Sequence, residues 1–212
     1  MTARADCGDG AWVLATRNAG KLRELRALFR DRGIDVIDLD EAGIAEVAEE
    51  DGLEEFDTFE ENALAKARWF AARASGRVVV ADDSGLEVAA LGGAPGVTSK
   101  RWSGRADLHG SALDAANNAK LLAALVEVPD RRARFVCVAA MVRPGGASLV
   151  VRGEVPGTIV DVASGSHGFG YDPHFRADEL GKTLADADVA EKQSVSHRAR
   201  AFTRLLSRAG TG

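Results

Sequence analysis

Residues 12–39 read WVLATRNAGKLRELRALFRDRGIDVIDL, and this stretch decides the fold class. Its first five residues are mostly apolar, as expected of a short buried strand. From Asn18 to Arg32, leucine and phenylalanine recur at helical spacing, and Gly33 ends the pattern. Residues 34–39 form a second strand candidate. A strand, a helix and a second strand in this order predict an α/β fold with parallel strand pairing.

The next elements continue this alternation. Thr58-Phe-Glu-Glu61 is a capping-box pattern, which predicts the start of a helix that reaches Ala74. Residues 77–82 read RVVVAD, and the three valines and the alanine that precede the aspartate predict a buried strand. Gly85 permits a sharp turn there, so we expect any continuation of this strand to follow a bend.

The second half of the chain does not continue the alternation of strands and helices. Residues 111–126 predict a helix, and apolar runs at 133–142 and 147–155 flank a four-residue turn typical of an antiparallel hairpin. Parallel and antiparallel pairs together predict a mixed sheet. A last helix is expected from about Ser196 to Ser207.

Length and composition exclude several classes of protein. A chain of 212 residues with 46% hydrophobic residues can form one large domain or two small lobes. No apolar run approaches the roughly 18 residues of a membrane span. Residues 1–10 lack the apolar core of a secretory signal, and we expect them to be a flexible tail. Cys7 and Cys137 are isolated, which fits neither a disulfide framework nor a zinc cluster and favours a cytoplasmic location.

The net charge of −5 hides a segregation of charge. Residues 38–61 hold twelve acidic residues and no lysine or arginine, whereas the rest of the chain holds 27 basic residues and 20 acidic ones. Such a block is most often a solvated surface, but it could also serve a charged ligand. A nucleic-acid-binding domain is disfavoured because the chain lacks the basic footprint of that class.

Two segments carry polar groups where strands end. Thr16-Arg-Asn-Ala-Gly-Lys21 joins the first strand to a helix N-terminus, a place that attracts phosphate. It fails the pattern of a P-loop at both ends, so an ordinary P-loop NTPase is excluded; Asn18 as a simple helix cap remains an alternative. Ala81-Asp-Asp-Ser-Gly85 ends a buried strand in two carboxylates, of which one should face a cleft and could hold Mg²⁺. The other carboxylate is expected to have a cap or turn role.

Other candidate groups lie on helices and in one loop. Lys66 shares a helix face with Asn62, and Lys192 precedes Ser196-His-Arg198 at the start of the last helix. Gly165-Ser-His-Gly-Phe-Gly-Tyr-Asp-Pro173 offers two aromatic rings that could stack on a flat ligand. The alternative for this loop is a compact turn with its aromatic side chains packed inward.

Taken together, these motifs closely resemble the inosine/xanthosine triphosphate pyrophosphatase family. The resemblance runs from about Trp12 to Leu206, and six motifs in the right order make it specific. They are Thr16–Lys21, Glu61–Ala63 with Lys66, Ala81–Leu86, Gly92–Gly96, Phe169–Pro173 and Ser196–Arg198. The chain departs from the family pattern at Arg17, where a small residue is common, and at His167, where glycine is usual.

The resemblance implies an elongated mixed α/β fold of two lobes around a central nucleotide-binding cleft, with residues 11–210 as a single pyrophosphatase domain. It also implies a homodimer that cleaves ITP, dITP or XTP between the α- and β-phosphates, with Mg²⁺ as cofactor. The products would be the nucleoside monophosphate and pyrophosphate, so the enzyme would remove deaminated purines from nucleotide pools. No nucleic acid or membrane partner is expected.

The family motifs also assign roles to individual residues. Asp83 would be the general base and a metal contact, with Glu50 as the other metal carboxylate. Lys21, Lys66 and Lys192 would neutralise the phosphate chain. The remaining substrate contacts would come from Thr16, Arg17, Asn18, Ala19, Gly20 and Ser84 near the phosphates and from Phe169, Gly170, Tyr171, Asp172, His197 and Arg198 near the base. The main alternative is a nucleotide sensor that has lost catalysis.

Overall fold

The computed structural model describes residues 10–210, so most of the predicted flexible tail at residues 1–10 lies outside the described residues. In chain order the elements are β1 (Trp12–Leu14), α1 (Ala19–Arg30), β2 (Val36–Ile37), α2 (Phe59–Ala71), β3 (Val79–Val88), α3 (Gly110–Ala124), β4 (Arg132–Val142), β5 (Ser148–Ile159), β6 (Phe175–Ala177), β7 (Lys182–Thr183), α4 (Val189–Val195) and α5 (His197–Ala209). Short 3₁₀ turns occur at Ala48–Gly52, Ala89–Leu91, Gly96–Arg101 and Asp172–His174.

The strands form one mixed sheet in the order β2-β1-β3-β4-β5-β6-β7. β1 pairs in parallel with both β2 and β3, whereas β6 pairs antiparallel with β5 and β7. This confirms the predicted α/β class with a mixed sheet and flanking helices. None of the helices in the described chain is long and apolar enough to cross a membrane.

The chain divides into two compact units, each with its own core. The described part of the first unit comprises residues 10–83, 137–153 and 198–210, and the second comprises 84–136 and 154–197. In the first unit, Phe29 of α1 packs edge-on against Trp12 and Phe202, with ring centroids 5.8 Å apart in both pairs. The second core gathers Leu86, Leu121, Leu125, Phe135, Phe175 and Leu184.

Local sequence signals account for most element boundaries. The Thr58 side chain accepts a hydrogen bond from the Glu61 N–H, which is one of the two bonds of the predicted capping box. The Glu61 carboxylate accepts from the Thr58 hydroxyl, where a full capping box would have it accept from the Thr58 N–H. The helix that it starts ends at Ala71 rather than Ala74. The turn between β4 and β5 is closed by the Arg143 N–H, which donates to the Ala147 carbonyl over 2.8 Å.

Two details differ from the sequence prediction. The bend expected at Gly85 is absent: β3 runs unbroken through Asp82, Asp83 and Gly85, and it lies between β1 and β4 in the sheet, with β1 paired to it at Val79 and Val80. Helix α4 was not predicted. It begins at a capping box, in which Asp188 accepts from the Glu191 N–H and Glu191 accepts from the Asp188 N–H.

Candidate active site

The turn between β1 and α1 is shaped by its own side chains. Asn18 caps α1 by accepting a hydrogen bond from the Lys21 N–H over 2.9 Å, and the Thr16 hydroxyl accepts from the Asn18 N–H over 3.2 Å. This is the capping role that the sequence left open for Asn18. The cap leaves the Lys21 side chain able to turn toward β3, where its Nζ lies 2.9 Å from the Asp82 carboxylate.

Asp82 is the fully buried centre of an ion cluster in the first unit. Its Oδ2 lies 2.9 Å from Lys21 Nζ and accepts from Arg198 Nε over 3.3 Å. Burial alone would raise the pKa of this carboxyl, but the charges of Lys21, Arg198 and Lys66 outweigh it and hold the pKa far below its usual value. Asp82 is therefore a permanent anion that neutralises buried cations.

Asp83, the next residue on β3, lies in a different environment. Its carboxylate accepts a hydrogen bond of 3.0 Å from the amide of Asn62, a fully buried residue that also hydrogen-bonds both backbone groups of Phe56. Burial, followed by the negative charge of Glu54, raises the pKa of Asp83 to about 6, against the opposing charges of Lys21 and Lys66. Neighbouring carboxyls with pKa values pushed apart are typical of catalytic sites.

Glu54 is the acidic residue that the structure brings to this site. It forms an ion pair with the buried Lys66 on α2, and its charge acts on Asp83. Lys66 and Asn62 both point inward from one face of α2, so the shared face noted in the sequence is a site-facing one. Burial works against the charged form of each partner, yet the pKa of Glu54 is lowered and that of Lys66 is raised by their mutual attraction.

Glu50 lies elsewhere in the acidic block. Both of its oxygens accept from the guanidinium of Arg17, at 2.8 Å from Nε and 2.7 Å from Nη2. The Arg17 hydrogen bond is the main reason that the pKa of Glu50 is lowered. The structure thus places Glu50 and Arg17 in a pair with each other, and their predicted contacts with metal and substrate stay predictions.

Arg198 links Asp82 to helix α1. Its Nη1 donates to the Glu24 carboxylate over 2.5 Å, and its side chain is only 3% exposed. Burial opposes its charge, but Asp82 and Glu24 raise its pKa further above the usual value. Sequence reasoning missed both Glu24 and Glu54. The signal for Glu24 was its place three residues after Lys21 on one helix face.

The second unit holds the loop at residues 165–174. The buried carboxylate of Asp172 accepts from the Phe169 N–H over 2.9 Å and from Lys192 Nζ over 2.6 Å. Lys192 Nζ also lies 5.2 Å from the centre of the Phe169 ring, which is 39% exposed. Lys192 therefore belongs to the cluster around Phe169 in the second unit.

Helix α3 and the core of the second unit fix this loop. Asp114 accepts from the Gly170 N–H over 2.8 Å, and the Asn118 amide donates to the Gly170 carbonyl over 2.9 Å. Tyr171 is buried and donates its hydroxyl to the Ser99 carbonyl over 2.8 Å, so its ring packs inward while Phe169 faces out.

His197 and Ser84 also belong to the second unit. The buried His197 ring stacks on Phe135 with centroids 4.9 Å apart. Ser84 follows Asp83 on β3 and is half-buried. Of the remaining predicted contacts, Ala19 and Gly20 form the first turn of α1 in the first unit.

The fold and these contacts define a mixed α/β protein whose site sets two buried carboxylates of different acidity beside buried cations. The chain belongs to the Ham1 family, whose profile matches residues 12–208. It is 50% identical to a dITP/XTP pyrophosphatase of Burkholderia pseudomallei over 210 residues, which cover 98% of this chain and 97% of that protein. It is 52% identical to a dITP/XTP pyrophosphatase of Nocardia farcinica, covering 92% of each chain.

A solved structure of a Ham1 protein also matches this chain. A HAM1 protein from Coxiella burnetii superimposes with a TM-score of 0.80 at 37% sequence identity, covering 95% of this chain and 99% of that one.

Proposed function

We propose that this protein is a pyrophosphatase that hydrolyses ITP, dITP and XTP to the nucleoside monophosphate and pyrophosphate. Water attacks the α-phosphate, and Asp83 takes the proton. The observation that carries the proposal is the contrast at β3: Asp82 is a fixed anion among cations, whereas Asp83 has a pKa of about 6. A carboxylate of that kind can accept a proton near neutral pH. The dITP/XTP pyrophosphatase names of the relatives support the same activity.

The phosphate chain is proposed to bind in the first unit. A nucleoside triphosphate carries about four negative charges, so its hydrolysis requires charge neutralisation and a positioned water molecule. Lys21 and Lys66 are the cations beside Asp83, and the N-terminus of α1, with Thr16, Asn18, Ala19 and Gly20 around it, favours phosphate.

Mg²⁺ is the proposed cofactor, and the carboxylates of this site fit it. Asp83 and Glu54 are close enough that the charge of Glu54 raises the pKa of Asp83, a repulsion that a hard cation would relieve. We propose these two side chains as the protein's metal ligands, with Glu54 in place of Glu50. Although Glu54 is paired with Lys66, its charge acts on Asp83, whereas both oxygens of Glu50 accept from Arg17. A bound Mg²⁺ would polarise the phosphate and increase the acidity of a bound water.

The base is proposed to bind beside Phe169. The exposed ring supplies a stacking surface, and Lys192, held by Asp172, supplies a donor next to it. This position supports a base-binding role for Lys192 rather than the phosphate role implied by the sequence. Hypoxanthine and xanthine carry a 6-oxo acceptor where adenine carries an amino donor. Donors from Lys192 or His197 would therefore be left unsatisfied by adenine. Such a mismatch can reject a substrate by on the order of 10⁴-fold.

Two further proposals concern the whole protein. We propose that residues 11–210 act as one catalytic domain that forms a homodimer, as the family resemblance implies. We also propose a cytoplasmic location, because Cys137 is a buried free thiol.

A substrate panel tests the proposed activity. With Mg²⁺ present, we expect ITP, dITP and XTP to release pyrophosphate with kcat/KM at least about 100-fold above that for ATP. Pyrophosphate and orthophosphate should be measured separately at early times. Orthophosphate as the first product would refute the proposal, and saturable ITP binding without turnover would favour a nucleotide sensor instead.

Gly168→Ala should damage base binding specifically. A Cβ at residue 168 would lie 2.1 Å from the Asp172 carboxylate and 2.9 Å from Lys192 Nζ, so that ion pair would have to move. We expect kcat/KM for ITP to fall by at least about tenfold, mainly through KM. Gly170→Ala is the matched control, since Gly170 also has a positive φ, of 63°, but has open space at its Cβ position. Equal effects in the two variants would show that backbone strain, and not the displaced pair, limits binding.

A further inference from the structure

The guanidinium of Arg17 holds the acidic segment at three points. It binds Glu50 through two hydrogen bonds, donates from Nη1 to Asp40 over 3.0 Å, and donates from Nη2 to the Ile44 carbonyl over 3.2 Å. Four donor contacts thus run from one side chain of the β1–α1 turn to residues 40–50. An arginine can make five such contacts at most, so this side chain is largely committed to the segment.

Of the two ion pairs that Arg17 forms with this segment, the pair with Glu50 contributes more than the pair with Asp40. The Asp40 side chain is 87% exposed, and an ion pair of that kind contributes little. The side chains of Arg17 and Glu50 are only 22% and 14% exposed, and their two parallel hydrogen bonds form the bidentate geometry that arginine and carboxylate favour. The Glu50 carboxylate also accepts weakly from the Val47 N–H, at 3.4 Å, which closes the 3₁₀ turn at Ala48–Gly52.

This pair lies just upstream of the proposed metal ligand. Glu50 precedes Glu54 by four residues, and Glu54 in turn contacts Lys66 and acts on Asp83. The path of the chain between these two glutamates therefore decides whether the Glu54 carboxylate reaches the site. Arg17 controls that path from the same turn that carries Asn18 and Lys21.

We infer that Arg17 and Glu50 form a clamp whose role is to position Glu54, and that neither side chain contacts phosphate or metal during the reaction. The inference rests on the proposed function for its kinetic consequences, but the clamp itself is a structural feature. It gives Arg17 a role in this chain that the small residue common at this position in the family could not fill. Arg17 and Glu50 are accordingly positioning residues, not catalytic ones.

A double-mutant cycle separates the clamp from two independent ligand roles. Because Arg17 and Glu50 would act only through each other, Arg17→Ala, Glu50→Ala and the double variant should each lower kcat/KM for ITP by about tenfold. If Arg17 bound phosphate and Glu50 bound metal independently, the double variant would lose about 100-fold, and the inference would be wrong. Glu49→Ala, which removes a neighbouring exposed acid, should leave kcat/KM unchanged.

Two measurements without substrate complete the test. Amide hydrogen exchange at residues 44–54 should become faster in all three clamp variants and not in Glu49→Ala, with unfolding midpoints confirming that each variant is folded. Mn²⁺ binding in the absence of nucleotide should weaken similarly in Arg17→Ala and Glu50→Ala. Unchanged exchange, or loss of Mn²⁺ binding in Glu50→Ala alone, would overturn the clamp. A wild-type protein that is inactive on every triphosphate would refute only the proposed function, because the exchange data would still test the clamp.

Discussion

Asp83→Asn is expected to lower kcat for ITP by about a thousandfold while leaving the protein at least as stable as the wild type. The loss of rate follows because an amide cannot accept the proton that the general base removes, a contribution typically of 10²–10⁴. The gain in stability follows because the folded protein disfavours a charged Asp83. Burial and Glu54 raise its pKa to about 6, so ionisation at neutral pH works against folding.

The stability difference between Asp83→Asn and the wild type should depend on pH, and the raised pKa of Asp83 fixes its direction. A carboxyl whose folded pKa is raised above its unfolded value opposes folding above the folded pKa, and that opposition disappears as the pH falls. The stability advantage of Asp83→Asn should therefore be present at pH 7.5 and shrink as the pH falls through 6 toward 4. Urea unfolding of both proteins in chelator, at several pH values, measures this difference.

The control for Asp83→Asn is Asp40→Asn, which removes an 87% exposed carboxylate from the same unit and should change neither quantity substantially. Normal turnover in Asp83→Asn would remove Asp83 as the base. A strongly destabilised Asp83→Asn would mean that its carboxylate holds the fold together and that the loss of rate reports on folding.

Asp82→Asn is expected to have the opposite profile, with a large loss of stability. Asp82 is fully buried and lies against Lys21 and Arg198. Removing its charge would leave those cations without their buried counterion, a change that typically costs about 3–5 kcal/mol. For a chain of this size, the unfolding midpoint should fall by about 10 °C.

Thermal and urea unfolding measure the effect of Asp82→Asn, with activity then expressed per folded molecule. Asp130→Asn is the matched control, because it removes the carboxylate of an exposed ion pair with Arg132 and should scarcely change the midpoint. An Asp82→Asn protein with wild-type stability would show that the buried cluster tolerates the loss of its central anion.

The contrast between the two aspartates was only partly predictable. Strand alternation correctly indicated different surroundings for adjacent residues. The sequence also suggested a minor role, such as a cap or turn, for whichever carboxylate faced away from the cleft. That expectation was wrong for Asp82, because Lys21 from α1 and Arg198 from α5 converge on it. Partners that lie 61 and 116 positions away leave no local pattern.

The sequence also could not show which glutamate of the acidic block at residues 38–61 reaches the site. Twelve acids in 24 positions look alike in sequence, and nothing local distinguishes Glu50 from Glu54. The difference arises from the path of the chain, because Arg17 forms an ion pair with Glu50, whereas Lys66 on α2 forms one with Glu54. Features set by near neighbours were predictable, among them the helix cap at Thr58, the apolar face of α1 and the shared face of Asn62 and Lys66.

The position at which solvent oxygen enters the products tests the central claim most directly. ITP should be hydrolysed by the wild-type protein with Mg²⁺ in water enriched in ¹⁸O, and both products analysed by ³¹P NMR or mass spectrometry. Attack of water at the α-phosphate predicts one ¹⁸O atom in the phosphate of IMP and none in pyrophosphate. Label in pyrophosphate, or in orthophosphate released first, would contradict the account.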